Sequence, residues 1–264
     1  ILGSLTTLSE GLSIIEFAEG ADLRTEAAFI DGPTTGNLYT TLWVNGAGST
    51  WTAGRGVDFG LVGQGSMGVL SGGIARAPSA RLGVNEGSSG FVTVSFANSR
   101  WEVSQLLEVG VLGQGLLRAR SGGVVTAGEL LVGDAGEISI RNAGSLLDVG
   151  TTGTINGALE LITGGSATFD QAILGALSGA DASVLASGTG SLLHVDGTLT
   201  IGDVGKGTLT IEGGGRVEST SGTLGARTTG RGEVVVRGAG SEWANTSTLL
   251  IGDTGLGALT IENA

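Results

Sequence analysis

Few residues in this chain are able to do chemistry. It has one histidine, His194, and no cysteine in 264 residues. In the run Leu192-Leu193-His194-Val195-Asp196 apolar and polar residues alternate, so His194 points outward if Leu193 points inward. A general base needs a partner within hydrogen-bond reach. Asp148, His194 and Asp196 fall close together on one face of adjacent repeats and form the best enzyme-like cluster in the sequence. Positions equivalent to His194 hold Thr52, Glu102, Asp148 and Ala244, a mixture that reads more simply as a solvated face. A second group of carboxylates, Asp134, Asp203 and Asp253, follows glycine at equivalent places. A line of carboxylates could bind calcium, which takes oxygen ligands. However, the tandem Gly-Gly-x-Gly-x-Asp pattern of calcium-binding repeats is absent, and the equivalent positions are read as Gln64 and Gln114. These aspartates are therefore expected to cap turns by accepting backbone N–H groups. No metal or cofactor is expected.

Trp51, Trp101 and Trp243 share one repeat position with Leu147 and Leu193. An aromatic platform for sugars needs the flat ring at every copy. Replacement by leucine instead predicts a core ladder, in which each buried indole N–H needs a partner. Other reaction classes are excluded more directly. Zero cysteine removes disulfide frameworks and thiolate metal sites, and one histidine removes zinc sites with several histidine ligands. A net charge of −12 argues against nucleic acid, whose phosphates need clustered cations. Gly113-Gln114-Gly115 and Gly255-Leu256-Gly257 resemble pieces of phosphate loops but lack the helix that would hold the anion. No Gly-x-Ser-x-Gly elbow sits between a strand and a helix. No apolar run of about 18 residues exists to span a membrane as a helix.

What positions these residues is a repeat. A Gly/Asn-Ser pair is followed two residues later by Trp51, Trp101, Leu147, Leu193 and Trp243, in steps of 50, 46, 46 and 50. Gly-Gly pairs recur at Gly72-Gly73, Gly122-Gly123, Gly164-Gly165 and Gly214-Gly215. Apolar pairs ending in glycine recur at Leu61-Val62-Gly63, Val111-Leu112-Gly113, Thr200-Ile201-Gly202 and Leu250-Ile251-Gly252. Each copy splits into two similar halves, so the unit is about 25 residues with three short strands. Such a unit cannot bury a core alone, but stacked on copies of itself it can. The expected fold is all-β: a single-stranded parallel β-helix of about nine coils over residues 37–264, with three sheets around a narrow core. No helical pattern after residue 37 supports helical crossovers, and a propeller blade does not explain the half-repeat. Residues 1–36 do not match the repeat and are expected to form a cap or an irregular first coil. A short amphipathic helix is possible within Ser9–Phe29. Ile261-Glu262-Asn263-Ala264 stops within a repeat, so further repeats or another domain are expected beyond it.

The run Ile201-Gly202-Asp203-Val204-Gly205-Lys206-Gly207-Thr208-Leu209-Thr210-Ile211 resembles the passenger repeats of bacterial autotransporter adhesins, as does Gly238-Ala239-Gly240-Ser241-Glu242-Trp243. The resemblance covers residues 37–264. It implies a right-handed β-helix, secreted to the bacterial cell surface and carried by a C-terminal outer-membrane barrel that is not in this chain. It implies a non-enzymatic adhesin or stalk, with a host or bacterial surface ligand or self-association between rods. It transfers no catalytic residues. The alternatives are a carbohydrate-active β-helix enzyme, either a lyase or a glycoside hydrolase, and a structural fibre or sheath scaffold.

Overall fold

In a computed structural model describing residues 2–8, 13–33 and 40–263, every regular element is a β-strand. The chain winds into a solenoid of about ten turns, each of roughly 25 residues. All strand pairs are parallel, and they form one 14-stranded and one 11-stranded sheet. Three strand segments per coil are present, but they lie in two sheets rather than three. The first two segments of a coil usually run together as one long strand. Arg100–Val109 is an example, and its register with the next coil shifts between Val103 and Leu106. That bulge bends the sheet without ending it. In some coils the strand instead breaks at the bend. Pro78 separates Ile74–Ala77 from Ala80–Leu82, and Gly54 and Gly56 lie between Thr50–Ala53 and Val57–Phe59. The third segment, such as Lys206–Glu212, belongs to the 11-stranded sheet.

The amino-terminal region is extended in its described residues, with no sign of the short helix its composition allows. Leu2–Leu8, Ser13–Phe17 and Asp22–Asp31 are strands in register with the solenoid, and the described part of Ser9–Phe29 holds no helix. Local Glu and Ala content favours helix only weakly, and pairing with an adjacent coil overrides it. Leu5, Ile15, Phe17 and Leu23 accordingly pack against the core.

Inside, the ladder beginning at Trp51 has a rung in every coil. Trp51 pairs with Ala75, Ala75 with Trp101, and the line continues through Val125, Leu147, Ala167, Leu193 and Val217 to Trp243. The expected ladder residues are its alternate rungs. Trp51 and Trp101 are 0% exposed, and Ala75 lies between them. Interiors pack at crystal-like density, so an indole on one rung requires a small residue on the next. Phe169 solves the same problem sideways: a Cβ on Gly153 would lie 2.3 Å from its ring. Trp243, on the last described rung, is half-buried.

The Gly/Asn-Ser pairs are staples between coils. Ser145 Oγ accepts the Gly122 N–H of the preceding coil at 3.0 Å and donates to its own coil's Arg141 carbonyl at 2.7 Å. Ser99 and Ser191 repeat this on Gly72 and Gly164. The serine corners and the Gly-Gly corners therefore alternate along one edge, which is why the sequence repeats over two coils. The opposite corner turns on residues such as Gly60, at φ +68°, where a Cβ would lie 2.1 Å from the Ser89 carbonyl oxygen. Two polar side chains take the same place as that glycine. Asp31 accepts the Val62 and Gly63 N–H groups at 3.0 and 2.8 Å, and Asn156 accepts the Leu177 N–H at 3.2 Å.

The indole N–H groups show one gap. Trp51 donates to Thr25 Oγ1 at 3.3 Å and Trp243 to Ser219 Oγ at 3.0 Å, in each case two residues past the paired rung of the preceding coil. For Trp101 that place is held by Ala77, and its buried N–H has no partner. Ala77→Ser is expected to raise stability by about 1 kcal/mol, the net value of one hydrogen bond. Ser145→Ala is expected to lower it by about 1 kcal/mol, because the part-buried Gly122 N–H loses its acceptor. Denaturant unfolding of each variant against the parent checks both.

Candidate functional site

Two outward faces carry side chains with chemical potential. The first is the outer side of the 14-stranded sheet around His194. Thr168, His194 and Glu218 are successive rungs of one column, and Asp148 lies one rung before Thr168. Asp148 and His194 are thus separated by a coil, and the Thr168 hydroxyl donates to Asp148. Asp196 does meet the imidazole: His194 Nε2 is 3.0 Å from its Oδ1. The closer partner is Glu218, whose Oε2 lies 2.7 Å from Nδ1. Arg216 continues the network, 3.1 Å from both Glu218 and Glu242. With both ring nitrogens facing carboxylates, only the imidazolium can donate to both. Hydrogen bonding to Glu218, and then to Asp196, raises the His194 pKa above the ordinary 6.5. A general base is helped by the opposite arrangement. This cluster locks a charge and joins coils.

Glu218 was not singled out from the sequence because spacings of 46–50 compare only alternate coils. The intervening rungs of the same column, Arg76, Thr126, Thr168 and Glu218, are brought in by the register.

Asp134, Asp203 and Asp253 all lie at the glycine corner, two residues past the paired Val132, Ile201 and Ile251. They do not form a continuous line. The same place in the coils between them holds Gly157, Ala176 and Ala226. Asp203 and Asp253 are two coils apart, roughly 10 Å at sheet spacing, whereas a shared calcium needs oxygens at about 2.3–2.6 Å. Nor do they cap turns as expected. Asp203 receives the Arg227 guanidinium at 2.9 Å, and the capping role falls to Asp31 and Asn156. Gln64 and Gln114 are not their equivalents. Both pair with Ser89, and Gln114 falls in the column that later holds Asp181 and Lys206. The apolar pairs ending in glycine had merged two neighbouring glycines of this corner.

The second face is on the 11-stranded sheet. Leu42 and Val44 point inward, so Trp43 points out, and its ring covers Gly68 one coil later. Two further coils along, the Arg118 guanidinium sits 5.3 Å from the centre of the Phe91 ring. Thr41, Trp43, Ser66, Phe91, Thr93 and Arg118 line a shallow cavity of about 440 Å³ together with Met67 and Leu116. The alternation Leu42-Trp43-Val44 was the available signal for an outward tryptophan, and it was not used.

Comparison of the chain with protein-family models, curated proteins and solved structures yields no match. The class defined here is that of a parallel β-solenoid, and the fold by itself assigns no activity.

As the only histidine, His194 gives an isolated titration signal. Its folded pKa is raised, so its stabilising contribution is complete below about 6.5, the unfolded value, and is lost as pH rises through the folded value. Its NMR titration midpoint is expected above 6.5. Glu218→Gln is expected to lower that midpoint and to flatten the fall in melting temperature over the same pH window.

Proposed function

We propose that this chain is part of a non-enzymatic β-solenoid displayed on the bacterial cell surface, acting as an adhesin or stalk in attachment or cell–cell aggregation. The observation that carries the reading is the unbroken parallel stack, which repeats its outward faces coil after coil. Thr154, Thr200 and Thr223, for example, recur on one outward column. A long face of this kind binds through many weak contacts that act together. The resemblance to autotransporter passenger repeats supports secretion and delivery by a C-terminal barrel. Partners are a surface ligand or a second rod, and no nucleic acid or cofactor enters the reading.

A carbohydrate-active enzyme is the second reading, and it would draw on His194 with Asp196 and Glu218. The raised imidazole pKa and the short corners favour the first.

Sedimentation of the purified chain across a concentration series, with and without calcium, tests the proposal. Reversible growth with concentration in both conditions is expected if rods associate. Growth confined to calcium would replace direct rod–rod association with a metal bridge between carboxylates of two rods, and its loss on Asp253→Asn would place that bridge at the Asp134, Asp203 and Asp253 corner. A polysaccharide-cleaving activity abolished by Asp196→Asn would replace the adhesin reading with the enzymatic one.

A further inference from the structure

We infer that the outer face of the 11-stranded sheet, from Trp43 to Arg141, is a binding groove for an acidic polysaccharide built of uronic acid units. This deepens the adhesin reading and rests on it only in that the rod carries a ligand. The first support is shape. The cavity of about 440 Å³ lined by Trp43, Phe91 and Arg118 adjoins a second of about 250 Å³ lined by Arg118, Arg120, Ser139 and Arg141. They share Arg118, so the two form one groove that crosses several coils. The first is within the size range of a ligand site.

The second support is charge. The chain carries 13 cations against 25 carboxylates, and most described cations sit in ion pairs with a neighbouring carboxylate. Arg118 and Arg120 form no ion pair among the described residues. Arg118 leans on Phe91, and Arg120 donates only to Ser95 Oγ, at 3.2 Å. Arg141 is held at 2.6 Å from Ser139 Oγ and 2.9 Å from Glu160. Two guanidinium groups two residues apart on the strand Gln114–Arg120, with no ion pair among the described residues, are open to an anionic occupant in a chain of net charge −12. A guanidinium takes a carboxylate through two parallel hydrogen bonds.

The third support is the aromatic and hydroxyl lining. The Trp43 ring is pinned against Gly68 and is only half-buried, which leaves apolar ring surface open to a ligand. A sugar ring offers an apolar C–H face to such a surface, with dispersion contacts that sum over many atoms. The Thr41 and Ser66 hydroxyls, 2.7 Å apart, lie beside it. Trp43 and Phe91 are two coils apart, roughly 10 Å at sheet spacing, so an extended chain can rest on both. An acidic peptide would satisfy the arginines but not this arrangement of open ring and hydroxyls. Glu137, beyond Leu116, bounds the groove on one side.

Affinity electrophoresis of the full chain through gels containing polygalacturonate, neutral dextran or polyglutamate tests this. Retardation is expected with polygalacturonate, none with dextran, and at least about tenfold weaker binding with polyglutamate. Arg118→Gln is expected to weaken polygalacturonate binding by about tenfold or more, the scale of one charge-assisted hydrogen bond, and Trp43→Ala by about tenfold through the lost apolar ring contact. Arg216→Gln, on the other sheet, should leave it unchanged. Circular dichroism melts confirm that each variant is folded, and Arg120→Gln is a second charge variant that touches no ring. The inference is overturned by absent retardation, by equal retention on polyglutamate, or by folded Arg118 and Trp43 variants that bind like the parent. Because rod–rod association is read separately by sedimentation, loss of this site leaves the adhesin reading standing.

Discussion

Everything in this molecule depends on the parallel backbone pairing of one coil on the next. At roughly 4.8 Å per coil, each side chain meets the same position of its neighbours above and below. Identity at one rung therefore constrains the next. Ala75 is small because Trp51 and Trp101 flank it, and Gly153 is glycine because Phe169 fills the place of its Cβ. The serine staples follow from the same contact. A part-buried corner N–H in one coil finds its acceptor in the following coil. Parallel solenoids need no disulfide for this, since every added coil brings its own ladder of hydrogen bonds and its own share of core.

The same stacking sorts charge on the outside. On the 14-stranded sheet it places opposite charges on successive rungs, as in Arg76 with Glu102 and His194 with Glu218. That face largely neutralises itself and knits coils together. On the 11-stranded sheet Arg118 and Arg120 form no ion pair with a described carboxylate, and Arg118 lies over the outward Phe91 ring. Elsewhere on this sheet opposite charges do pair across coils, as in Asp181 with Lys206 and Glu212 with Arg237. The stretch around Arg118 is thus a local departure, a guanidinium set against an outward ring with no ion pair.

How much was legible depended on the range of the interaction concerned. The alternate rungs Trp51, Trp101, Leu147, Leu193 and Trp243 could be aligned because each follows a serine corner. Ala75, Val125, Ala167 and Val217 follow Gly-Gly corners and were missed, although they line the same column. The coil length also varies. It is 28 residues from Leu23 to Trp51 and 20 from Leu147 to Ala167, so a fixed period misplaces outward residues. This explains why Gln64 was set against Asp203, and why Glu218 was absent from the histidine cluster. The strands of residues 2–31 were obscured for a related reason. Their pairing partners, not their own composition, hold them extended.

By itself the sequence determined the all-β class, the coil of about 25 residues and the inward direction of the large apolar side chains. Those properties follow from local alternation and from the burial of apolar surface, which any short segment displays. Only the tertiary structure decided that two of the three expected faces merge into one sheet, that Glu218 is the main partner of His194, and that Arg118 lies over Phe91 without an ion pair. Those facts are set by which residues share a rung across coils some 20 to 28 positions apart. Corner lengths and bulges shift that register, and no local pattern records their sum.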